Sequence, residues 1–187
     1  MPRPVAHSSA IALIGYRGTG KTTLARLLAQ RLGYDWADAD VEVELRAGKS
    51  IAAIFADQGE AVFRDLETTV VAELCARPRT VVALGGGAVL SPENRTAIAG
   101  CAAVVWLQAT PEALEARIGG DPTTATRRPN LTNTGGRQEI EQLLAARSPF
   151  YAACATLEVD TQDRAPEELV EAILAALPLP GDDSSRA

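Results

Sequence analysis

Histidine is almost absent from this chain: His7 is the single one, in a Pro- and Ser-flanked N-terminal stretch. Ser-His-Asp triads, His-assisted cysteine nucleophiles and ordinary His-ligated zinc sites therefore lack an essential residue. Cysteine is scarce too. Cys75, Cys101 and Cys154 are odd in number, far apart and without C-x-x-C spacing, which excludes a disulfide framework and a Cys-only zinc site. They read as small buried hydrophobes in a reducing compartment. Lysine occurs twice, as Lys21 and Lys49, and arginine carries the remaining positive charge. No apolar run approaches the roughly 18 residues of a membrane span, and MPRPVAHSSA lacks the apolar core of a signal peptide. The expected location is cytoplasmic, with no membrane association. Acidic residues (24) outnumber basic ones (18), for a net charge of -6, so no general basic face for nucleic acid is expected.

What is present suits one globular domain. The 187 residues are 47% hydrophobic and 22% charged, ordinary values for a chain that folds. Without a repeat or a long linker, residues 10–177 read as a single domain between disordered tails at 1–9 and 178–187. Short apolar runs predict strands at Ile11–Gly15, Tyr34–Asp38, Thr80–Gly85, Ala102–Gln108 and Thr156–Asp160. Helical spacing fills Lys21–Leu32, Val41–Ala47, Ile51–Gln58, Glu60–Ala76, Pro92–Ala99, Pro111–Ile118, Arg137–Ala153 and Pro166–Leu177. Ser91-Pro92-Glu93 and Thr110-Pro111-Glu112 are helix starts: a hydroxyl cap, proline at the first position, then an acid at the positive end of the dipole. Alternating apolar strands and helices predict an α/β fold, a parallel sheet covered on both faces, with ligands beyond the carboxyl ends of the strands. The polar, Gly-bracketed segment Gly119–Gly136 interrupts the alternation and, with Arg127 and Arg128 inside it, is expected to be a mobile lid.

The strongest chemical signal is Gly15-Tyr16-Arg17-Gly18-Thr19-Gly20-Lys21-Thr22, a full G-x-x-x-x-G-K-[ST] match between a strand and a helix. Such a loop wraps phosphates with its backbone N–H groups at a helix N-terminus. Lys21 then reaches the β/γ-phosphates and the Thr22 hydroxyl ligates Mg²⁺. About twenty residues on, the second strand ends in Asp38-Ala39-Asp40. Strand alternation points both carboxylates one way, suiting one to the Mg²⁺ shell and the other to a hydroxyl proton, although Asp-x-Asp before a helix is also a capping pattern. Arg64, in GEAVFRDLE, stands at a helix start where the dipole repels cations. It calls for an anionic partner, with Glu67 in reach at i,i+3. Gly85-Gly86-Gly87 after the third strand suggests close approach to a ligand. Arg127-Arg128-Pro129 and Arg147-Ser148-Pro149-Phe150-Tyr151 add cations that, with Arg64, can close on an anionic substrate and a transferring phosphate.

Taken in order over Ile11 to about Leu177, GYRGTGKTT, WADAD, GEAVFRDLE, VVALGGG, TRRP and RSPFY closely resemble shikimate kinases. The resemblance implies a P-loop, nucleoside-monophosphate-kinase-like α/β/α fold with a five-stranded parallel sheet and a mobile lid. It also implies ATP- and Mg²⁺-dependent phosphorylation of the shikimate 3-hydroxyl, a step of aromatic amino-acid biosynthesis. Carried over, Gly18, Thr19, Gly20, Lys21, Thr22 and Thr23 bind ATP, with Arg117, Arg164 and Pro166 flanking adenine. Thr22 and Asp38 serve the metal. Asp40 binds shikimate hydroxyls and acts as base, Arg64 and Arg147 hold the carboxylate, and Gly86 and Gly87 lie against the ring. Arg128 is the lid arginine reaching phosphate. One departure is Asn130, which stands before Leu131 where the family usually has two leucine-like residues. The expected partners are ATP and shikimate, for a monomer. The alternatives are a kinase of another small hydroxy acid such as gluconate, a nucleotide kinase, and a non-catalytic nucleotide-binding module.

Overall fold

The computed structural model describes residues 8–120 and 136–177. His7, most of the expected N-terminal tail, the C-terminal tail and the lid interior with Arg127, Arg128 and Asn130 lie outside the described residues. The chain runs β1 (Ser8–Ile14), α1 (Lys21–Leu32), β2 (Asp35–Asp38), α2 (Ala39–Ala47), α3 (Ile51–Ala76), β3 (Thr80–Ala83), α4 (Pro92–Ala99), β4 (Cys101–Gln108), α5 (Pro111–Gly119), α6 (Gly136–Cys154), β5 (Leu157–Asp160) and α7 (Pro166–Ala176). β1 starts earlier than its apolar run predicts. Ser8 pairs with Cys101, and the Ser9 hydroxyl accepts the Arg79 N–H at 2.8 Å, so polar residues of the expected tail extend the strand through backbone bonds.

All five strands are parallel in the order β2-β3-β1-β4-β5. Period-two alternation explains the two cores. Along β1, Ala10, Ala12 and Ile14 face one layer with Val82, Val104 and residues of α2, α3 and α4. Ile11 and Leu13 face the other, with Val81, Val105, Leu107 and the apolar stripes of α1 and α7. Because both faces are covered, the central strands are apolar along 10–14, 81–83 and 103–107, and each buried Val, Leu or Ile contributes about 1.5–3 kcal/mol of transfer free energy.

Helix ends follow the expected local chemistry. The Ser91 hydroxyl accepts the Asn94 N–H, and the Thr110 hydroxyl that of Ala113. The two helices expected on either side of Gly59 are both present: α3 consists of two helical segments, 51–58 and 60–76, that meet at Gly59, whose φ 81 and ψ 173 are not helical. The strand-to-helix junction at Asp38 also differs from expectation. β2 ends at Asp38 and α2 begins at Ala39, so the two carboxylates are not presented by one strand. Asp38 instead caps α2, its Oδ1 accepting the Asp40 N–H at 3.0 Å.

Candidate active site

The carboxyl ends of β1, β2 and β3 deliver Gly15–Gly20, Asp38 and Gly85–Gly87 to one edge of the sheet. Between them lies a cavity of about 440 Å³ lined by Arg17, Gly18, Gly20, Lys21, Thr22, Thr23, Asp38, Asp40, Gly86 and Arg117, among others. Residues scattered over a hundred positions of sequence thus share one wall.

Conformation forces glycine at the loop entrance. Gly15 has φ +136, and a Cβ there would stand 2.4 Å from the Leu107 carbonyl oxygen, so no side chain fits where β1 turns beside β4. Lys21 opens α1 and folds back over the loop, donating to the Gly15 and Tyr16 carbonyls at 2.8 and 2.7 Å. Thr19, buried beneath, donates to the Tyr16 carbonyl at 2.8 Å and does not line the cavity. The Thr22 hydroxyl donates to Asp38 Oδ2 at 2.6 Å. Asp38 therefore divides its two oxygens between the α2 cap and Thr22, joining loop and helix through one carboxylate. Asp40, in the first turn of α2, lines the same cavity. The capping pattern and the convergence of both carboxylates on one cavity hold together.

Opposite, the glycine turn is held from behind. The Tyr151 hydroxyl donates to the Gly86 carbonyl at 2.5 Å, and the Asn94 side-chain amide to the Ala88 carbonyl at 3.0 Å. Arg64 presses on this turn: a Cβ at Gly87 would meet its Nη1 at 3.0 Å. The kink at Gly59 places Arg64 in the second turn of its helical segment rather than at the start. Its anionic partners lie on its own helix, Glu67 at 2.8 Å and Glu60 at 3.0 Å. Burial opposes its charge, but the pull of Glu67 and Glu60 prevails and holds the guanidinium pKa above its ordinary value.

Arg147 differs. It is 7% exposed, its Nη1 lies 3.6 Å from where a Cβ of Gly86 would sit, and its Nε is buried without a hydrogen-bond partner. Its guanidinium lies 5.7 Å from the Tyr16 ring centroid. Among the described residues no carboxylate pairs with it. Burying a cation without an anion is costly, and Nη1 of this one lies beside Gly86, which lines the cavity. Tyr16 is itself buried, which pushes its hydroxyl pKa up against the lowering influence of Arg17 and Arg147, so the phenol is neutral.

Arg117 spans the loop and the end of β5, donating to the Gly18 carbonyl at 3.4 Å, the Thr161 hydroxyl at 3.0 Å and the Thr161 carbonyl at 2.8 Å. Arg164 and Pro166 are exposed and do not line the cavity; Arg164 donates to the Glu168 carbonyl at 3.4 Å. The sequence reading missed Glu60, Asn94 and Tyr151 as supports, and Arg17 with Glu139. Glu60 was within reach of the i,i+4 rule; the others meet only through tertiary packing.

A parallel α/β sheet whose first strand feeds a glycine-rich loop, a lysine and a helix defines a P-loop nucleotide-binding protein, here with Asp38, Asp40, Arg17 and Arg117 also on the cavity wall. The family model described as shikimate kinase matches residues 17–178. A shikimate kinase of Rhodopirellula baltica is 47% identical over 166 residues, 89% of this chain and 89% of the relative. One from Thermobifida fusca is 45% identical over 180 residues, 96% and 98% of the two chains. The solved structure of shikimate kinase from Acinetobacter baumannii in complex with shikimate superposes with a TM-score of 0.83 at 36% identity, covering 90% of this chain and 92% of that one. The chain belongs to the shikimate kinase family.

Proposed function

We propose that this protein transfers the γ-phosphoryl group of ATP to the 3-hydroxyl of shikimate, giving shikimate 3-phosphate and ADP within aromatic amino-acid biosynthesis. The observation that carries the reading is Arg147, a buried cation with no ion-pair partner among the described residues, set against Gly86 at the wall of a cavity that the P-loop and Asp40 share. An acceptor bearing a carboxylate supplies the missing charge, and one bearing hydroxyls suits Asp40.

In this reading the loop residues Gly18, Thr19, Gly20, Lys21, Thr22 and Thr23 hold the nucleotide. Lys21 leaves its loop carbonyls to neutralise charge on the β- and γ-phosphates, an electrostatic role that phosphoryl transfer chiefly requires. Asp40 accepts the proton of the attacking hydroxyl. Arg147 and Arg64 hold the acceptor carboxylate, the latter steadied by Glu60 and Glu67, while Gly86 and Gly87 lie along the ring. Arg117, Arg164 and Pro166 flank adenine. Arg128, outside the described residues, is assigned to the transferring phosphate.

The donor set also fits a magnesium ion that arrives with the nucleotide. Among the described residues no cluster of three or more His, Cys, Asp or Glu forms a metal cage. Thr22 and Asp38 do meet at 2.6 Å on the cavity wall, and Mg²⁺ characteristically takes one or two protein oxygens besides phosphates and water. Thr22 and Asp38 would hold it, and it would supply positive charge to offset that of the phosphates. Among the described residues no helix is long and apolar enough to cross a membrane, and we assign the protein to the cytoplasm as a monomer.

The test is ADP release from MgATP with shikimate, gluconate and nucleoside monophosphates offered in turn. Turnover with shikimate alone is expected. Preference for gluconate or a nucleotide overturns the acceptor, and turnover of none overturns the catalytic reading.

A further inference from the structure

Arg17 and Glu139 have no place in the reading above, and their surroundings are unusual. Glu139, in the first turn of α6, is wholly buried, and its Oε1 accepts Arg17 Nη2 at 3.1 Å. A carboxylate removed from water costs several kcal/mol unless paired, so this pairing is not incidental surface chemistry. It ties the third residue of the P-loop to a helix more than a hundred positions away.

Arg17 occupies a chosen place. Its side chain is 14% exposed, it lines the main cavity, and its backbone nitrogen lies 3.5 Å from where a Cβ of Gly86 would stand, close to the position Arg147 Nη1 approaches from its own side. Its guanidinium carbon is 5.9 Å from the Tyr16 centroid, as that of Arg147 is 5.7 Å. Tyr16 is thus a shared aromatic contact for the two guanidinium groups, and Gly86 is approached by the Arg17 backbone and the Arg147 side chain. Among the described residues the Arg17 guanidinium makes a single hydrogen bond, the one to Glu139. Its Nε is buried and unpartnered, whereas Nη1 is not among the buried unsatisfied atoms. A planar fork held at Nη2 keeps Nη1 in a fixed direction, and a fixed fork selects a carboxylate or hydroxyl by geometry where a lysine would act as a mobile point charge.

We propose that Arg17 is an acceptor-binding residue at the Gly86 side of the cavity, and that buried Glu139 is its positioning residue. The inference rests on the acceptor reading given above. Glu139 balances the charge of Arg17, so the pair contributes a directed donor, while Arg147 supplies the uncompensated positive charge. Discrimination among small hydroxy acids then depends on where Arg17 Nη1 is held as well as on how much positive charge the site carries.

The experiment measures KM for shikimate and for ATP separately, with thermal unfolding, in the parent, Arg17→Met, Arg17→Lys, Glu139→Gln and the double variant Arg17→Met/Glu139→Val. Arg17→Met alone takes one ion-pair partner from a buried carboxylate and can fail through folding; the double variant removes both charges and restores an apolar contact. The expected result is a shikimate KM raised about tenfold or more in the double variant, at near-parental melting temperature and ATP KM. A smaller rise is expected in Arg17→Lys and Glu139→Gln. A parental shikimate KM in the folded double variant makes the pair purely structural and overturns the proposal, as does an equal rise in both KM values. If the parent itself does not phosphorylate shikimate, the acceptor reading fails and this inference falls with it; parental turnover with unchanged variants sinks this inference alone.

Discussion

At the residue scale, chemistry and packing make separable demands on neighbouring side chains. Asp38 is committed on both oxygens, to the α2 cap and to Thr22, whereas Asp40 lies in the first turn of the helix on the cavity wall. Asp40→Asn is therefore expected to lower kcat strongly with little change in melting temperature, because an amide is a very poor proton acceptor; parental kcat would remove Asp40 from the role of base. Lys21→Ala is expected to cost about a hundred- to a thousandfold in kcat, the scale of losing one preorganised charge on the reacting group. Steady-state kinetics on a folded variant checks it. The Cys75 and Cys154 thiols are expected to be inert, whereas the hydrogen bond with Cys75 lowers the pKa of the buried Cys101 thiol. A hydrogen bond to Cys101, then burial, pushes the Cys75 thiol up, and burial does the same to Cys154 against the pull of Arg95. With little thiolate on Cys75 and Cys154 at neutral pH and Cys101 buried, a disulfide reagent should label the native protein slowly and the unfolded protein at once.

Elements were legible in the sequence where the signal was local. The Ser-Pro-Glu and Thr-Pro-Glu starts located α4 and α5, and unbroken apolar runs located the buried strands, because both depend on nearest neighbours. The Asp38–Asp40 junction reads as strand because alternation carries no mark of where a strand stops; a helix cap competing for the same carboxylate decides it. The P-loop was legible as a contiguous motif, but the carboxylate under Arg17 and the phenol behind Gly86 come from α6 and belong to no local pattern. Gly59 reads as a break between two helices, and the structure has that break, inside the stretch labelled α3. A Cβ there meets nothing within 4 Å, yet φ 81 with ψ 173 is a conformation almost reserved to glycine. Gly59→Ala should therefore destabilise by about 1–3 kcal/mol through strain alone, measurable by urea unfolding, and the absence of any loss would mean the kink relaxes into a straight helix. At α4, the Ser91 hydroxyl donates to Glu93 and accepts from Asn94, and the first of these leads the causes that hold the Glu93 pKa below its ordinary value. A depressed carboxylate adds stability above its unfolded pKa and loses it as pH falls through the folded one. Ser91→Ala should cost about 1 kcal/mol at neutral pH, and less in acid, where Glu93 is already protonated.

At the scale of the whole molecule, the strand order has a consequence for the way the chain is born. β1 is made first and ends in the centre of the sheet, but its neighbours are β3 and β4; β2, made second, has β3 as its one neighbour. A nascent chain that has reached Ala76 therefore carries two strands and three helices without a single strand pair to join them. Every pairing of the first half waits for Thr80–Ala83, four residues that lie buried between the two waiting strands. Synthesis proceeds at roughly 5–20 residues per second, so the apolar β1 is exposed for several seconds before its first partner leaves the ribosome. Released fragments ending at residue 76 should be protease-sensitive and prone to associate, and those extended past β4 should acquire a resistant core. Equal resistance in both would show that the helices of the first half pack without the sheet.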